Sequence, residues 1–480
     1  MKKHLLLLLC TCFTTLWAQQ QQKQQQQLFQ QQSDTIEYSL NARFNPGLGT
    51  YAPFLSTVNQ FDRHSFTPNS LSTWGSIRKT SVTTFDYGFG AEINANLSPT
   101  ENRLFPGELY VEGKVGPFLA ILGGKREIFG NQDPLISSGG LIGSQNSRPI
   151  PSLTFETNGW VDVPFTHGFL EFSGGMANGW FSDKTVTTNT LLHHKWLHGR
   201  LGGSFPLTVN YGLHHVAQWG GNSPTYGVEK VSLDNFLRIF LAQRGSSDGT
   251  LSDLQNTLGN HIISQNIGLS LKLTNFSLEL YWQNISEDKP VLFLNEAYNR
   301  KDGLWGVSVR LPKFKPLYAA VVELLSTTDQ SGPYHDLDGV TYGGTDEYYN
   351  NGFYPNGWSF YGMTIGNPWL TSPKYNTDGR VNIQNNFVRL LYFSGLGELR
   401  HFNYRFTSAY SLNWGQYHVA PGPPKKQFSG QLEVFHALPF LKNTEASLGI
   451  SSDRGTKYGN NLALLMGLRY TGQFILNKKH

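Results

Sequence analysis

The segment QNIGLSLKLTNFSLELYWQN (265–284) restricts the fold more than any other stretch of this chain. Ile267, Leu269, Leu271 and Leu273 alternate with Asn266, Gly268, Ser270, Lys272 and Thr274. After a turn at Thr274–Asn275 the beat resumes, with Phe276, Leu278, Leu280 and Trp282 against Ser277, Glu279, Tyr281 and Gln283. A period of two on both arms of a tight hairpin gives a β-ribbon with one apolar and one wet face. The apolar face must be covered, either by a second protein layer or by hydrocarbon.

The same pattern recurs along most of the chain. In FDYGFGAEINANL, Phe85, Tyr87, Phe89, Ala91, Ile93, Ala95 and Leu97 oppose Asp86, Gly88, Gly90, Glu92, Asn94 and Asn96. HFNYRFTSAYSL sets Phe402, Tyr404, Phe406, Tyr410 and Leu412 against His401, Asn403, Arg405 and Thr407, and LLMGLRYTGQF does likewise near the C-terminus. VGPF at 115, LPKFKP at 311, PGPP at 421 and LKNT at 441 mark the turns. A soluble sandwich would alternate too. Ribbon after ribbon, however, carries charged and amide residues on one face and Phe, Tyr and Trp near the ends of the other. That arrangement suits lipid outside, water inside and aromatic girdles at both interfaces.

Backbone groups in hydrocarbon must all be paired, so such a sheet has to close. The expected fold is an all-β transmembrane antiparallel barrel of about 18 strands, at about ten residues per strand plus turns and loops. Composition fits: 14% aromatic residues, 51 glycines and 15% charged residues. The mean hydropathy of −0.34 is too polar for a bundle of membrane helices. The net charge of +4 comes without a basic block, which sets nucleic acid aside as a partner.

Lys2 and Lys3 precede an apolar run from Leu5 to Trp17, and Ala18 offers a cleavage point, so residues 1–18 are expected to be an export signal. Both cysteines, Cys10 and Cys12, fall inside it, which leaves the mature chain without disulfide or thiolate chemistry. Residues 19–35 form a Gln-rich segment expected to be disordered, and 36–480 the barrel. The export signal places that barrel in the outer membrane of a Gram-negative bacterium.

One segment breaks the rhythm. In VSLDNFLRIFLAQRG the apolar residues Leu233, Phe236, Leu237, Phe240 and Leu241 recur at three and four, predicting a short helix within an insert near 232–260. Asp234 is the expected cap and Gly245 the expected end. The helix is expected to plug the periplasmic mouth of the barrel; lying against the membrane interface is the alternative.

GGKREIFGNQDPLISSGGLIGSQNSRPIPSLTF (123–155), LLHHKWLHGRLGG with GLHHVAQWGG (191–221), NRKDGLWGVSV (299–309), ELLSTTDQSGP (323–333) and GWSFYGMTIGNPW (357–369) together resemble the Wzi-type capsule-assembly proteins. The resemblance implies an outer-membrane β-barrel closed by helices. It also implies a lectin-like, non-enzymatic role holding exported capsular or related surface polysaccharide, with the polysaccharide-export machinery as a further partner.

Chemistry-bearing clusters are few. His193, His194, His198, His214 and His215 lie close in sequence without an acidic partner, so they are expected to face the lumen or an interface, not a metal. GSSDG (245–249) matches GxSxG, but a helix precedes it instead of a strand. DLDG lacks the later calcium-ligand positions. No metal or cofactor is expected.

The long polar segment PYHDLDGVTYGGTDEYYNNGFYPNGWSFYG (333–362) mixes carboxylates with aromatic rings, a combination suited to sugar hydroxyls and sugar faces. Tyr334, Asp336, Asp338, Asp346, Tyr354 and Trp358 are the glycan-contact candidates; the competing expectation is that the aromatics only pack the loop upon itself. The alternative function is a porin for small solutes, which would lack a plug and constrict its lumen with charged loops.

Overall fold

The computed structural model describes residues 35–81, 83–245, 257–287, 299, 301–330, 335–337, 340–342, 347–419 and 422–476. Eighteen antiparallel strands close into a barrel. In chain order they begin with β1 Thr35–Asn45, β2 Ser70–Lys79, β3 Phe85–Leu97, β4 Asn102–Val115, β5 Phe118–Gly124 and β6 Ser152–Thr157. Then come β7 Leu170–Trp180, β8 Leu191–Leu201, β9 Leu207–Trp219, β10 Asn260–Leu273, β11 Phe276–Glu287 and β12 Gly303–Arg310. The last are β13 Ala319–Ser326, β14 Phe387–Leu399, β15 Phe402–Gly415, β16 Lys425–Ala437, β17 Thr444–Gly455 and β18 Asn461–Ile475. Closure is made by β1 between β2 and β18, in register from Thr35↔Ile475 to Phe44↔Met466 on one side and from Ile36↔Lys79 to Asn45↔Ser70 on the other.

The alternation seen in the sequence becomes an inside and an outside. On β3, Phe85, Ile93 and Leu97 are exposed while Glu92, Asn94 and Asn96 are buried. Leu40, Leu104, Leu197 and Leu448 are each 60% exposed or more. A soluble protein would not leave so much apolar surface open, so lipid is its counterpart. Aromatic pairs gather near the end that carries the chain termini: Tyr38 stacks on Phe474 at 4.8 Å, and Phe169 meets Phe205 edge-on at 5.9 Å. Gly472 lies opposite Tyr38 in register, and a Cβ there would run into the tyrosine ring, so glycine lets the ring lie across the wall.

Short turns such as 116–117, 274–275 and 400–401 lie at the terminus end; the long connections 46–69, 125–151, 220–259 and 327–386 lie at the other. Short turns face the periplasm and long loops the exterior in such barrels, which orients the molecule.

A lumen walled by eighteen strands is too wide for wall side chains to fill. Here the loops 46–69, 125–151 and 327–386 fold into its outer half and build an apolar core against the wall. Phe54 stacks on Tyr458 at 4.5 Å and meets Trp369 at 4.8 Å. Trp369, Tyr348 and Tyr349 are almost fully buried, as are the wall residues Ile262, Leu304 and Leu390.

The helix α1, Leu233–Leu241, forms where periodicity places it. Its caps differ from expectation. Ser232, not Asp234, accepts the Asn235 N–H at 3.1 Å, and Ala242, in a left-handed conformation at φ 50°, ends it before Gly245. Asp234 instead pairs with Arg238 one turn on, at 2.9 Å.

Its position also corrects the expected plug. The helix belongs to a connection at the outer end and packs on the outward face of β8 and β9. Phe236 lies 5.5 Å from the His193 ring and 5.9 Å from that of Trp219, while Ile239 is buried with Ala217 and Trp219. Lys195, on the same outward face, donates to the carbonyl of Phe240 and lies 3.9 Å over its ring, which places a cation at the helix C-terminus. Leu233, Leu237 and Leu241 point away from the wall and are 74%, 49% and 58% exposed. The helix thus covers wall positions that would otherwise put His193, Lys195 and His215 in lipid, and turns a leucine stripe outward in their place. A dye on Leu237→Cys, in protein lacking residues 1–18, should be quenched by spin-labelled lipid, and one on Asp234→Cys by aqueous quenchers. Equal aqueous quenching at both would remove the helix from the membrane surface.

Candidate functional site

At the outer mouth, where the loops rise above the strands, a polar groove of about 410 Å³ is lined by Asn260 and Glu287 from strand ends, Glu347, Asn350 and Asn351 from the longest loop, and Gln416. Hydrogen bonds hold these groups in place. Glu347 Oε1 accepts from Asn350 Nδ2 at 2.9 Å and from Gln416 Nε2 at 2.5 Å, and Asn350 Oδ1 accepts the Ile383 N–H at 3.0 Å. The other oxygen, Glu347 Oε2, is buried without a hydrogen-bond partner among the described residues. A buried carboxylate oxygen with no donor calls for one, and a sugar hydroxyl is a suitable donor.

Tyr226 is 50% exposed, stacks on Phe353 at 5.9 Å and brings its hydroxyl against Gly352 at the edge of the groove. Asn351 Oδ1 accepts the backbone N–H groups of Phe353 and Tyr354 at 2.9 and 3.3 Å, an Asx turn that presents the Phe353 ring.

The aromatic candidates from the sequence are placed otherwise. Tyr354 and Trp358 are each 2% exposed. The Tyr354 hydroxyl donates to the Gly220 carbonyl at 3.1 Å and lies 3.0 Å from Glu229, and Trp358 Nε1 donates to the Ile142 carbonyl at 2.9 Å. Trp358 packs in the loop core and Tyr354 against the 220–229 connection, so neither ring presents a face to a ligand. Tyr334, Asp338 and Asp346 lie outside the described residues, as does most of GSSDG and the side chain of Asp336, whose backbone is in the short strand His335–Leu337. Alternation could not single out Glu347 or Tyr226, because both lie on loops without a period.

The histidines divide by strand parity. His194, His198 and His214 face the lumen in a chain, with His194 Nε2 3.1 Å from His214 Nδ1 and His214 Nε2 2.8 Å from His198 Nε2. Because His214 uses a different nitrogen toward each neighbour, the three do not converge on one point as metal ligands would. His193 and His215 face outward under α1, and His215 Nε2 lies 2.6 Å from His261 Nδ1.

One carboxylate ties the loops together. Asp62, in loop 46–69, receives Arg148 at 2.6 Å from loop 125–151, Lys374 at 2.7 Å from loop 327–386 and Arg103 at 3.3 Å from the wall. Burial pushes its carboxyl up, but Lys374, Arg103 and Arg148 together overcome this and hold it well below the usual carboxylate range.

Residues 124–374 match the family described as capsule assembly protein Wzi, which is more than half of the chain. The chain belongs to the Wzi capsule assembly family. Among solved structures, this Wzi-family chain is similar to Wzi of Escherichia coli, an outer membrane protein involved in group 1 capsule assembly and described as a carbohydrate-binding β-barrel. The TM-score is 0.60 at 12% identity, covering 93% of this chain and 86% of that one. Two Pseudomonas aeruginosa barrels, OccK3 (OpdO) and OccK5 (OpdH), overlap at a TM-score of 0.46 each, with 13% and 9% identity. Both alignments cover 92% of this chain, and 96% and 98% of those chains. Comparison with curated proteins gives no match. The Wzi-family barrel described here is an outer-membrane protein with a role in capsule assembly.

Proposed function

We propose that this Wzi-family barrel holds exported surface polysaccharide at the cell face, without catalysis, through the groove at its outer mouth. The observation that carries this reading is Glu347 Oε2, without a partner among the described residues, in an amide-lined groove with the half-exposed Tyr226 at its edge. Carboxylate and amides meet sugar hydroxyls, and the ring offers an apolar face to a sugar. The outward position of the groove suits a glycan already across the membrane, delivered by an export apparatus. Residues 1–18 would direct the chain there as a signal peptide.

In a strain lacking the protein, surface polysaccharide should shift from cells to the medium; unchanged cell-bound polysaccharide would defeat retention. Tyr226→Ala combined with Glu347→Gln should weaken pull-down of the cell's own polysaccharide roughly three- to tenfold while the heat-induced gel shift of the folded barrel persists. Undiminished pull-down would take this groove out of the binding site.

A further inference from the structure

The inner half of the lumen, between the loop core and the chain termini, is a cavity of about 880 Å³ whose wall reaches from Arg43 down to Glu37 and Gln473 at the terminus end. That volume is in the range of small-molecule sites, about 300–1,000 Å³.

At its floor, arginines outnumber the carboxylates that hold them. Arg43 and Arg405 share Glu433, at 3.4 and 2.6 Å. Arg63 and Arg126 share Glu92, with Arg63 at 2.7 Å. Guanidinium groups stay charged at any working pH, so each trio keeps one positive charge in excess, away from bulk water. Nearer the rim, Arg78 pairs with Glu108, and Arg469 stands opposite Glu445 in register with Glu37 close by, so the surplus belongs to the floor.

A second observation points the same way. His64 is 4% exposed and lines the cavity. Its Nε2 lies 3.5 Å from Arg43 Nη1, a donor, so Nε2 is the accepting nitrogen and Nδ1 carries the proton. That Nδ1 has no partner among the described residues. Burial first, and then the charges of Arg43, Arg63 and Arg405, push the imidazole well below its ordinary value and keep it neutral. An unused donor amid surplus positive charge is a place for an anion. Above the floor, Ser39, Asn41 and Ser76 supply hydroxyls and an amide, and Trp74 stands edge-on to His64 at 5.5 Å. The space is much larger than a bare oxyanion needs, and its wall suits hydroxyls.

We propose that this inner cavity binds a carboxylate-bearing sugar unit from the periplasmic side, the carboxylate lying on the Arg43, Arg405, Arg63 and Arg126 floor beside His64 Nδ1. The anion chemistry rests on the cavity alone; its assignment to a sugar rests on the glycan-holding role proposed above.

The test is calorimetric titration of the detergent-solubilised full barrel with a short oligoglucuronate, a neutral glucose oligomer of equal length and inorganic phosphate. Binding of the oligoglucuronate alone, weakening as salt is raised, is the expected result. Equal binding of the neutral oligomer, or phosphate binding as tightly as the uronate, overturns the proposal, as does no binding at all. Arg63→Gln and Arg405→Gln each leave a one-to-one ion pair, so the fold is not left with a lone buried carboxylate. Each should weaken uronate binding about tenfold and flatten its salt dependence; unchanged affinity in both overturns the site. Tyr226→Ala should leave this titration unaltered. Uronate binding with no loss of cell-bound polysaccharide in the deletion strain would sink the retention role and leave the inner site standing; the reverse would sink the inner site alone.

Discussion

Asp62→Asn is expected to destabilise the loop core by roughly 3–5 kcal/mol, the usual loss when one partner of a buried ionic cluster is removed. The substitution keeps size and shape, and asparagine tolerates the φ of 56° found at this position. What it removes is the buried charge shared by Arg103, Arg148 and Lys374; of the three, Arg103 keeps a second partner in Glu101, at 3.3 Å. Three buried cations would then repel one another across the junction of two loops and the wall. A urea melt in detergent, followed by tryptophan fluorescence, should show the midpoint fall; an unmoved midpoint would show that the cluster does not hold the loops.

The wild-type protein should show the same dependence through pH. The folded carboxyl sits below its unfolded value, which is near 3.9. Its contribution is therefore complete above about pH 4 and is lost as pH falls through the range beneath, where the unfolded chain takes up the proton first. Loop docking should weaken in acid and show no such change from this group between pH 5 and 8.

Excision of 331–384, with a short Gly-Ser bridge between β13 and β14, should turn a closed barrel into a conducting one. The two strands are neighbours in register, Ala319↔Leu396 to Ser326↔Arg389, so a short bridge spans them without strain on the wall. The wall is held by backbone pairing that the excision does not touch, whereas Tyr348, Trp358, Trp369 and Tyr375 would leave the lumen together. Barrels of 16–18 strands with unfilled lumens are aqueous pores. In planar bilayers the intact protein should stay near background and the excised form should pass ions steadily. Conductance by the intact protein would revive the diffusion-pore reading; a silent excised form would mean that other segments seal the mouth.

The wall was legible from residue order because a strand has a strict period of two and hydrocarbon demands apolar side chains at every second position. Phe85 to Leu97 and Leu464 to Phe474 face outward as their alternation requires. Parity also put His194 and His198 on one face of their strand and His193 on the other, and the structure turns the first pair into the lumen. The helix at 233–241 was legible as a helix, since periodicity is local, but its place was not. The helix carries apolar residues on both sides, toward the Ala217, Trp219 and His193 patch of the wall and toward lipid, so amphipathic spacing could not say that Phe236 and Ile239 turn inward and Leu237 outward.

Loop residues escaped for a different reason. Whether an aromatic ring such as Trp358 meets a sugar or a protein depends on its partner, here the Ile142 carbonyl more than two hundred residues away. Residue order alone determined which side chains of the wall meet lipid and which meet the lumen, because backbone geometry links that choice to position along a strand. Only the tertiary structure decided that loops fill the outer lumen, that Asp62 gathers three cations, and that Arg43 and Arg405 share one carboxylate. Those contacts join segments far apart in the chain, and nothing in local periodicity records which distant groups will meet.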